Sequence, residues 1–209
     1  MLSDARIQFL DEPCAAPHVI PMTVEKFDAW VEEAMRAEFN GGNAFIKAPV
    51  SVIHSNIWLF LNCFIGRIVE NGEAGYAMGP RFQMRLPESR FEPDFMFVKR
   101  SNVQRITEWF LDGPADMVIE IVSPESAARD WHDKFLEYEA GGVHEYWLID
   151  HAGRRCDCYR LMEKKYQNVP MIDGRIRSTQ LEGFELCPEW FWSDPLPSAF
   201  DLLREIGQL

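Results

Sequence analysis

The chain has 209 residues, of which 47% are hydrophobic, 13% aromatic and 26% charged. This composition excludes a disordered chain, and the length favours one large domain over two. The net charge of −12 excludes a protein that binds nucleic acid through its overall charge, because phosphate backbones attract basic surfaces. Binding to DNA would need a local basic patch. The acidic residues either solvate the surface or form clusters that hold divalent cations.

Residues 1–21 contain three prolines and little periodicity, so we predict an N-terminal arm followed by a single domain at 22–209. Helices are predicted after the N-caps Thr23 and Ser55, at residues 26–35 and 56–70, with a turn at 40–43 and a strand at 44–48 between them. Later strands are predicted at residues 74–78, 81–86, 93–98, 117–122 and 146–149. A third helix is predicted from Ser126 to residue 140.

After a hairpin at residues 156–171, the segment 182–209 is aromatic and ends in a short helix at 199–205. The order of elements predicts an α/β fold, with a central mixed β-sheet flanked by helices. The aromatic tail, which includes Trp190, Phe191 and Trp192, either packs on this sheet or forms a homodimer interface.

Five scattered cysteines and the lack of a secretory signal favour a reduced, cytoplasmic protein. Cys156 and Cys158 would share one face of a strand, where packing is favoured over half of a zinc site. The apolar run 52–69 contains several polar residues and is too polar for a lipid-exposed span, so we predict no membrane association.

Two carboxylates interrupt apolar strands. Glu120 lies within Met117–Val122 and shares a face with Val118 and Val122, where a lone carboxylate would pay a large desolvation penalty. It must be paired, protonated or bound to a cation; a buried ion pair, or a position near the exposed end of the strand, is the structural alternative. Asp94 begins another apolar run directly after Pro93, where it could also simply finish a turn.

Asp130, Lys134 and Tyr138 follow at helical spacing and share one helix face. The modest interpretation is a surface ion pair between Asp130 and Lys134. The functional interpretation directs Lys134 at the carboxylates, because this helix follows closely after the strand that carries Glu120. Two carboxylates and a lysine suit metal-assisted phosphodiester hydrolysis, since Mg²⁺ takes few protein oxygens and a lysine offsets developing charge.

The segment from Pro93 to Asp150 resembles the Uma2 family (DUF820) of restriction endonucleases, within the PD-(D/E)XK nuclease superfamily. The resemblance is carried by Pro93-Asp94, by the run from Val118 to Ser126, by Arg129-Asp130 with Lys134 and Tyr138, and by the run from Gly142 to Asp150. Weaker similarity extends to residues 38–54 and 190–206.

This resemblance implies a restriction-endonuclease-like fold and a DNA endonuclease that uses Mg²⁺, with Mn²⁺ as a substitute. Asp94 and Glu120 would be metal ligands, with the Ile121 carbonyl as a third. The superfamily lysine usually stands where this chain has Val122, so Lys134 on the next helix would replace it. Glu38 corresponds to an acidic residue that many such nucleases carry on the first helix.

His54 matches a recurrent family histidine, for which a helix-capping or core role is equally compatible. Two hypotheses therefore follow from the sequence. The first is a metal-dependent endonuclease acting on DNA. The second is a catalytically inactive interaction or regulatory module on the same fold, motivated by the −12 charge and by the aromatic tail.

Overall fold

The computed structural model describes residues 18–31, 36–70 and 73–207. Four α-helices occur within these ranges: α1 Val24–Trp30, α2 Val52–Val69, α3 Lys134–Gly141 and α4 Ala199–Glu205. The first seven strands are β1 His18–Pro21, β2 Ala37–Asn40, β3 Asn43–Ile46, β4 Gly75–Met78, β5 Gln83–Arg85, β6 Arg90–Phe91 and β7 Phe95–Lys99. The remaining strands are β8 Phe110–Asp112, β9 Met117–Ile121, β10 Glu145–Asp150, β11 Arg155–Met162, β12 Lys165–Asn168, β13 Ile176–Arg177 and β14 Glu185–Leu186.

Two six-stranded sheets organise the fold, in the orders β1-β3-β2-β6-β5-β8 and β12-β11-β10-β9-β7-β4. Both are mixed, because β9 and β10 are parallel, as are β5 and β8, while the other pairs are antiparallel. The predicted α/β class with mixed sheets and flanking helices is confirmed. The sequence predicts one central sheet, whereas the structure has two, because the short strands β1, β2, β3, β5, β6 and β8 form a sheet of their own.

Strand β9 is buried on both faces and separates two parts of the core. Met117, Ile119 and Ile121 pack with α2 and the C-terminal tail. Val118 packs on the opposite side, together with residues of α3. Since side chains alternate along a strand, Glu120 lies on the α3 side, as the sequence predicts.

Helix α2 begins four residues earlier than predicted. The N-cap is Ser51, whose Oγ accepts a hydrogen bond from the His54 backbone N–H, whereas Ser55 donates its hydroxyl to the Ser51 carbonyl. The early start brings His54 into the first turn of the helix. Helix α2 has the length and mean hydropathy of a membrane span, and one face of it, which includes Phe64, is buried in the core.

The third predicted helix contains an unpredicted π-helical turn, Arg129–Asp133, directly before α3. A π turn places one more residue in a turn than an α-helix does, and such turns are frequent at functional sites. The helix ends where predicted, because Gly142 adopts the left-handed conformation (φ 88°) and donates its N–H to the Tyr138 carbonyl.

The aromatic tail packs on its own domain. Phe191 is fully buried, and the Trp190 ring lies 5.4 Å from that of Phe64 on α2. Phe191 thus packs on its own domain, as one of the two alternatives predicts, while Trp190 and Trp192 are partly buried against the same core. The homodimer interface stays a prediction. Cys158 is fully buried and Cys156 packs against the same core, which confirms the packing interpretation of this pair.

At the N-terminus, residues 1–17 of the predicted arm lie outside the described residues, and its last four residues form β1, which pairs with β3. The prediction that the first helix extends to Met35 is wrong in its extent, since α1 ends at Trp30; Met35 itself is not described. The predicted turn at 40–43 joins β2 to β3, with positive φ at Gly41 and Gly42.

Candidate active site

Glu120 projects from β9 toward α3. Its Oε1 accepts hydrogen bonds from Lys134 Nζ at 2.9 Å and from the Tyr138 hydroxyl at 2.8 Å. Lys134 Nζ also lies 3.2 Å from Asp130 Oδ1, so the predicted shared face of Asp130, Lys134 and Tyr138 is confirmed. The surface ion-pair interpretation is wrong, because Asp130 and Lys134 are only 1% and 2% exposed.

Asp94 directly precedes β7, the strand next to β9. Its Oδ2 accepts hydrogen bonds from the Ile121 backbone N–H at 2.8 Å and from His54 Nε2, which lies at 3.1 Å. Since Ile121 follows Glu120, this contact ties the Asp94 carboxylate to the strand that carries the second acid. His54 is therefore neither a helix cap nor an apolar core residue; it contacts Asp94 from the first turn of α2.

Glu38 reaches the same site from the other sheet. It lies on β2, which pairs with β3, so the first-helix location implied for it is wrong. Its Oε1 accepts the Glu92 backbone N–H and lies 3.3 Å from Lys134 Nζ and 3.3 Å from Lys47 Nζ. Its Oε2 accepts a hydrogen bond from Arg129 Nη2 at 2.6 Å. Glu38 thus joins three cations around one buried carboxylate.

These groups line one cavity of about 500 Å³ between the two sheets and the π turn. Each residue named for the site by the sequence contributes to its wall: Glu38, Asp94, Glu120, Ile121 and Lys134. The structure adds further polar residues that the sequence did not assign to it: Lys47, Ser123, Ser126, Arg129 and His151.

The ionised groups of the site do not balance. Its four buried carboxylates are Glu38, Asp94, Glu120 and Asp130. Its three cationic side chains are Lys47, Arg129 and Lys134. If all seven are charged, the site carries one excess negative charge before His54 is considered. An added divalent cation would therefore turn the sign of the site to positive.

The imbalance shifts the pKa values of the buried acids in opposite directions. Burial raises the pKa of Glu120 to about 8, and the carboxylates of Asp130, Asp94 and Glu38 add to the effect against the opposing charge of Lys134. Burial also acts on Glu38, but Lys134, Lys47 and Arg129 hold its pKa well below the usual range. Burial disfavours the ammonium of Lys134, yet the surrounding carboxylates raise its pKa and keep it charged.

The donor set fits a hard divalent cation that completes its shell with water. Among residues 18–31, 36–70 and 73–207, no three His, Cys, Asp or Glu side chains form a preassembled metal-binding cluster. Mg²⁺ does not need three such protein ligands, since it usually binds one or two carboxylates and retains several waters. Asp130 Oδ1 is buried and forms an ion pair with Lys134 Nζ but no hydrogen bond of good geometry, so this carboxylate is only partly satisfied.

Comparison with known proteins decides the family. Residues 24–190 match the family model described as "Uma2: Putative restriction endonuclease". The chain belongs to the Uma2 family. A solved structure, described as a putative nuclease belonging to DUF820 from Anabaena variabilis ATCC 29413, shares 19% sequence identity with this Uma2 chain, at a TM-score of 0.69. The similarity covers 82% of this chain and 98% of the other, and shows the same fold. No curated protein matches the chain.

Three contacts of the Uma2 site were missed by sequence reasoning. Lys47 and Arg129 were not assigned because neither belongs to a recognisable spacing with Glu38, 9 and 91 residues away. His54 was noted, but its contact with Asp94 spans 40 residues. The sequence did contain one signal. Arg129 and Asp130 place a positive and a negative side chain next to each other, close to the helix face that carries Lys134.

Proposed function

We propose that this Uma2 chain is an endonuclease that hydrolyses DNA phosphodiester bonds with a bound divalent cation, Mg²⁺ or alternatively Mn²⁺. The observation that supports it is the convergence of Asp94, Glu120 and Lys134 on one cavity from β7, β9 and α3. Families with restriction-endonuclease-like folds generally use divalent metal ions, and their substrate is DNA.

Asp94, Glu120 and the Ile121 carbonyl are the proposed ligands. The hydrogen bonds of the Asp94 carboxylate with Ile121 and His54 both fall on Oδ2, which leaves Oδ1 for the cation. A bound divalent cation would lower the pKa of a water and stabilise charge on the phosphate. Glu120 would become ionised on binding, because the ion replaces the repulsion from neighbouring carboxylates by attraction.

Lys134 is the proposed cationic catalyst. Its ammonium, fixed by Glu120 and Glu38, can orient the attacking water or offset the negative charge that develops on the phosphate. Glu38 acts by holding Lys134 and two further cations in place rather than as a ligand, since both of its oxygens are already engaged.

The site charge supports a phosphate substrate despite the overall charge of −12. One divalent ion added to one excess negative charge gives a positive cavity. Attraction to a phosphodiester is therefore a local property of the metal-bound cavity, and it does not require a positive charge on the whole chain. A metal-free protein should bind DNA poorly.

The experiment measures cleavage of duplex DNA in Mg²⁺ by Asp94→Ala, Glu120→Ala and Lys134→Ala variants, with folding checked by circular dichroism. The matched control is Asp201→Ala, which removes an exposed acid paired with Arg204 on α4. We expect cutting by the parent and the control and none by the three site variants. Cutting by all three site variants would defeat the proposal.

A calorimetric titration with Mg²⁺ or Mn²⁺ separates this proposal from the inactive-module hypothesis. Binding that is lost in Glu120→Ala supports the enzyme. A parent that binds neither ion and cuts no DNA would favour the module, although Phe191 of its proposed aromatic surface is buried. A homodimer stays a prediction under both hypotheses, and sedimentation of the parent would test it.

A further inference from the structure

Arg129 is held rigidly at the cavity wall. Its Nη2 donates to Glu38 Oε2 at 2.6 Å, and its guanidinium carbon lies 4.1 Å from the centroid of the Phe45 ring. An ion pair on one edge and an aromatic face below fix both the position and the plane of a guanidinium. This is more restraint than a side chain needs merely to neutralise a carboxylate.

The other donors of Arg129 are unused. A guanidinium carries five N–H groups. Within the part of the chain that the structure describes, Glu38 is the hydrogen-bond acceptor of this side chain, and neither Nε nor Nη1 is a buried atom without a partner. Arg129 lines the cavity and its side chain is 14% exposed, which makes these donors candidates for contact with a ligand there.

Lys47 forms a second point of positive charge on the same wall. Its Nζ donates to the Glu92 carbonyl at 2.7 Å and to Glu38 Oε1 at 3.3 Å, and it too lines the cavity. Arg129 and Lys47 thus place two positive charges on one wall of the cavity, both anchored by Glu38. Two cations fixed in this way are suited to an anionic ligand in the cavity.

We propose that Arg129, with Lys47 beside it, forms a binding subsite for a backbone phosphate of the nucleic-acid substrate, next to the phosphate that is cut. The inference rests on the proposed function. A planar guanidinium with one edge not engaged by Glu38 matches the tetrahedral oxygens of a phosphodiester, which it can bind in a bidentate manner. The fixed plane reduces the conformational entropy lost on binding.

Equilibrium binding of a short fluorescein-labelled DNA duplex tests the subsite. The background is Glu120→Gln in EDTA, which keeps this position uncharged at every pH and avoids cleavage. Affinity is measured over a series of KCl concentrations. Adding Arg129→Gln should weaken binding about tenfold. It should also lower the slope of log affinity against log salt by about one, because one phosphate contact is lost.

Arg155→Gln is the matched control. Arg155 makes the same two kinds of contact, an ion pair with Asp157 and a cation–π contact at 3.9 Å with Trp131, but it does not line this cavity. Its loss should leave affinity and slope unchanged. Phe45→Leu keeps the charge and removes the supporting ring, so it should weaken binding with an unchanged slope. This variant retains every partner of Glu38 and guards against misfolding of Arg129→Gln.

The outcomes separate the two proposals. An Arg129→Gln variant that binds with the background's affinity and slope would overturn the subsite while leaving the nuclease proposal intact. Arg129-dependent DNA binding in a parent that cuts nothing would support the subsite and reject the nuclease. A background protein that binds no DNA even at low salt would overturn the subsite, while cleavage by the parent in Mg²⁺ would still support the nuclease.

Discussion

Lys134 Nζ lies 2.9 Å from Glu120 Oε1, and the same ammonium lies within 3.3 Å of carboxylate oxygens of Glu38 and Asp130. One buried cation is thus shared by three acids from a strand of each sheet and from the π turn. This arrangement couples the chemistry proposed for the site to the stability of the fold, and the predictions for Lys134 and for the pH dependence of stability use that coupling.

Lys134→Met should destabilise the fold by about 3–5 kcal/mol, because removing one partner of a buried ion pair leaves uncompensated charge. The double variant Lys134→Met/Glu120→Gln should recover part of that loss, since one of the stranded carboxylates is then neutral. Urea unfolding of the parent, both single variants and the double variant gives the interaction free energy. Strictly additive effects of the two substitutions would contradict the shared-cation arrangement.

His54→Ala should weaken Mg²⁺ affinity by about 10–100-fold, because the residue orients a proposed metal ligand, Asp94, rather than binding the ion itself. His54→Gln should restore most of the affinity, since the glutamine amide can donate to Oδ2 in place of the imidazole. Calorimetry with Mg²⁺ measures both without reference to cleavage. Equal affinities for the alanine variant and the parent would show that Asp94 needs no such support.

In EDTA, the free energy of unfolding should fall as pH rises from about 5 to 8. Burial raises the pKa of folded Glu120 to about 8 from its ordinary value of 4.5, so over this window the folded state binds the extra proton. Stability is then greatest below the unfolded pKa and is lost as pH rises toward the folded value, with a slope of up to about 1.4 kcal/mol per pH unit for one proton.

Glu120→Gln supplies the control for this pH dependence. The variant cannot titrate at this position, so its stability should vary less between pH 5 and 8. Burial also raises the pKa of Asp130, so the unfolding free energy of the variant should still fall with pH, but less steeply. Adding Mg²⁺ to the parent should flatten the profile, because the ion favours ionised Glu120. A parent profile that rises with pH across this window in EDTA would be incompatible with a raised pKa.

Ser51→Ala should cost about 1 kcal/mol of stability, since Ser51 caps α2 by accepting the His54 N–H. Ser55→Ala, four residues later, should change stability by less than about 0.5 kcal/mol, because this exposed hydroxyl only donates to the Ser51 carbonyl. Thermal unfolding of the two variants compares them directly. If Ser55→Ala were the more destabilising of the two variants, Ser55 would be the N-cap of α2, as the sequence predicts.

Strong local patterns were sufficient to predict much of the fold. The apolar run of β9 places Glu120 on the α3 side, and the i, i+4, i+8 spacing brings Lys134 and Tyr138 to that same face. Each of these depends on one element and on its immediate connection to the next. The last short helix, Ala199–Glu205, was likewise predicted at its observed bounds, and Ser198 caps it in the structure.

Other features depend on distant pairing and were missed for that reason. Glu38 lies on a four-residue strand whose identity is set by its partners β3 and β6, not by its own sequence. Its contact with Arg129 spans 91 residues. The π turn has no periodicity of its own, since it changes the helix register within a single turn. Long-range contacts and register changes of this kind cannot be predicted from the spacing of residues.

Because of that π turn, the relative positions of the site residues depend on the helix register. A single-residue deletion between Ser126 and Lys134 would rotate everything upstream by about 100° relative to α3, since each residue advances an α-helix by that angle. Arg129 and Asp130 would swing away while Lys134 kept its place above Glu120. Length variation should therefore be tolerated at hairpin tips such as residues 163–164 and rejected here, so that alignments of related chains would show no gap across this turn.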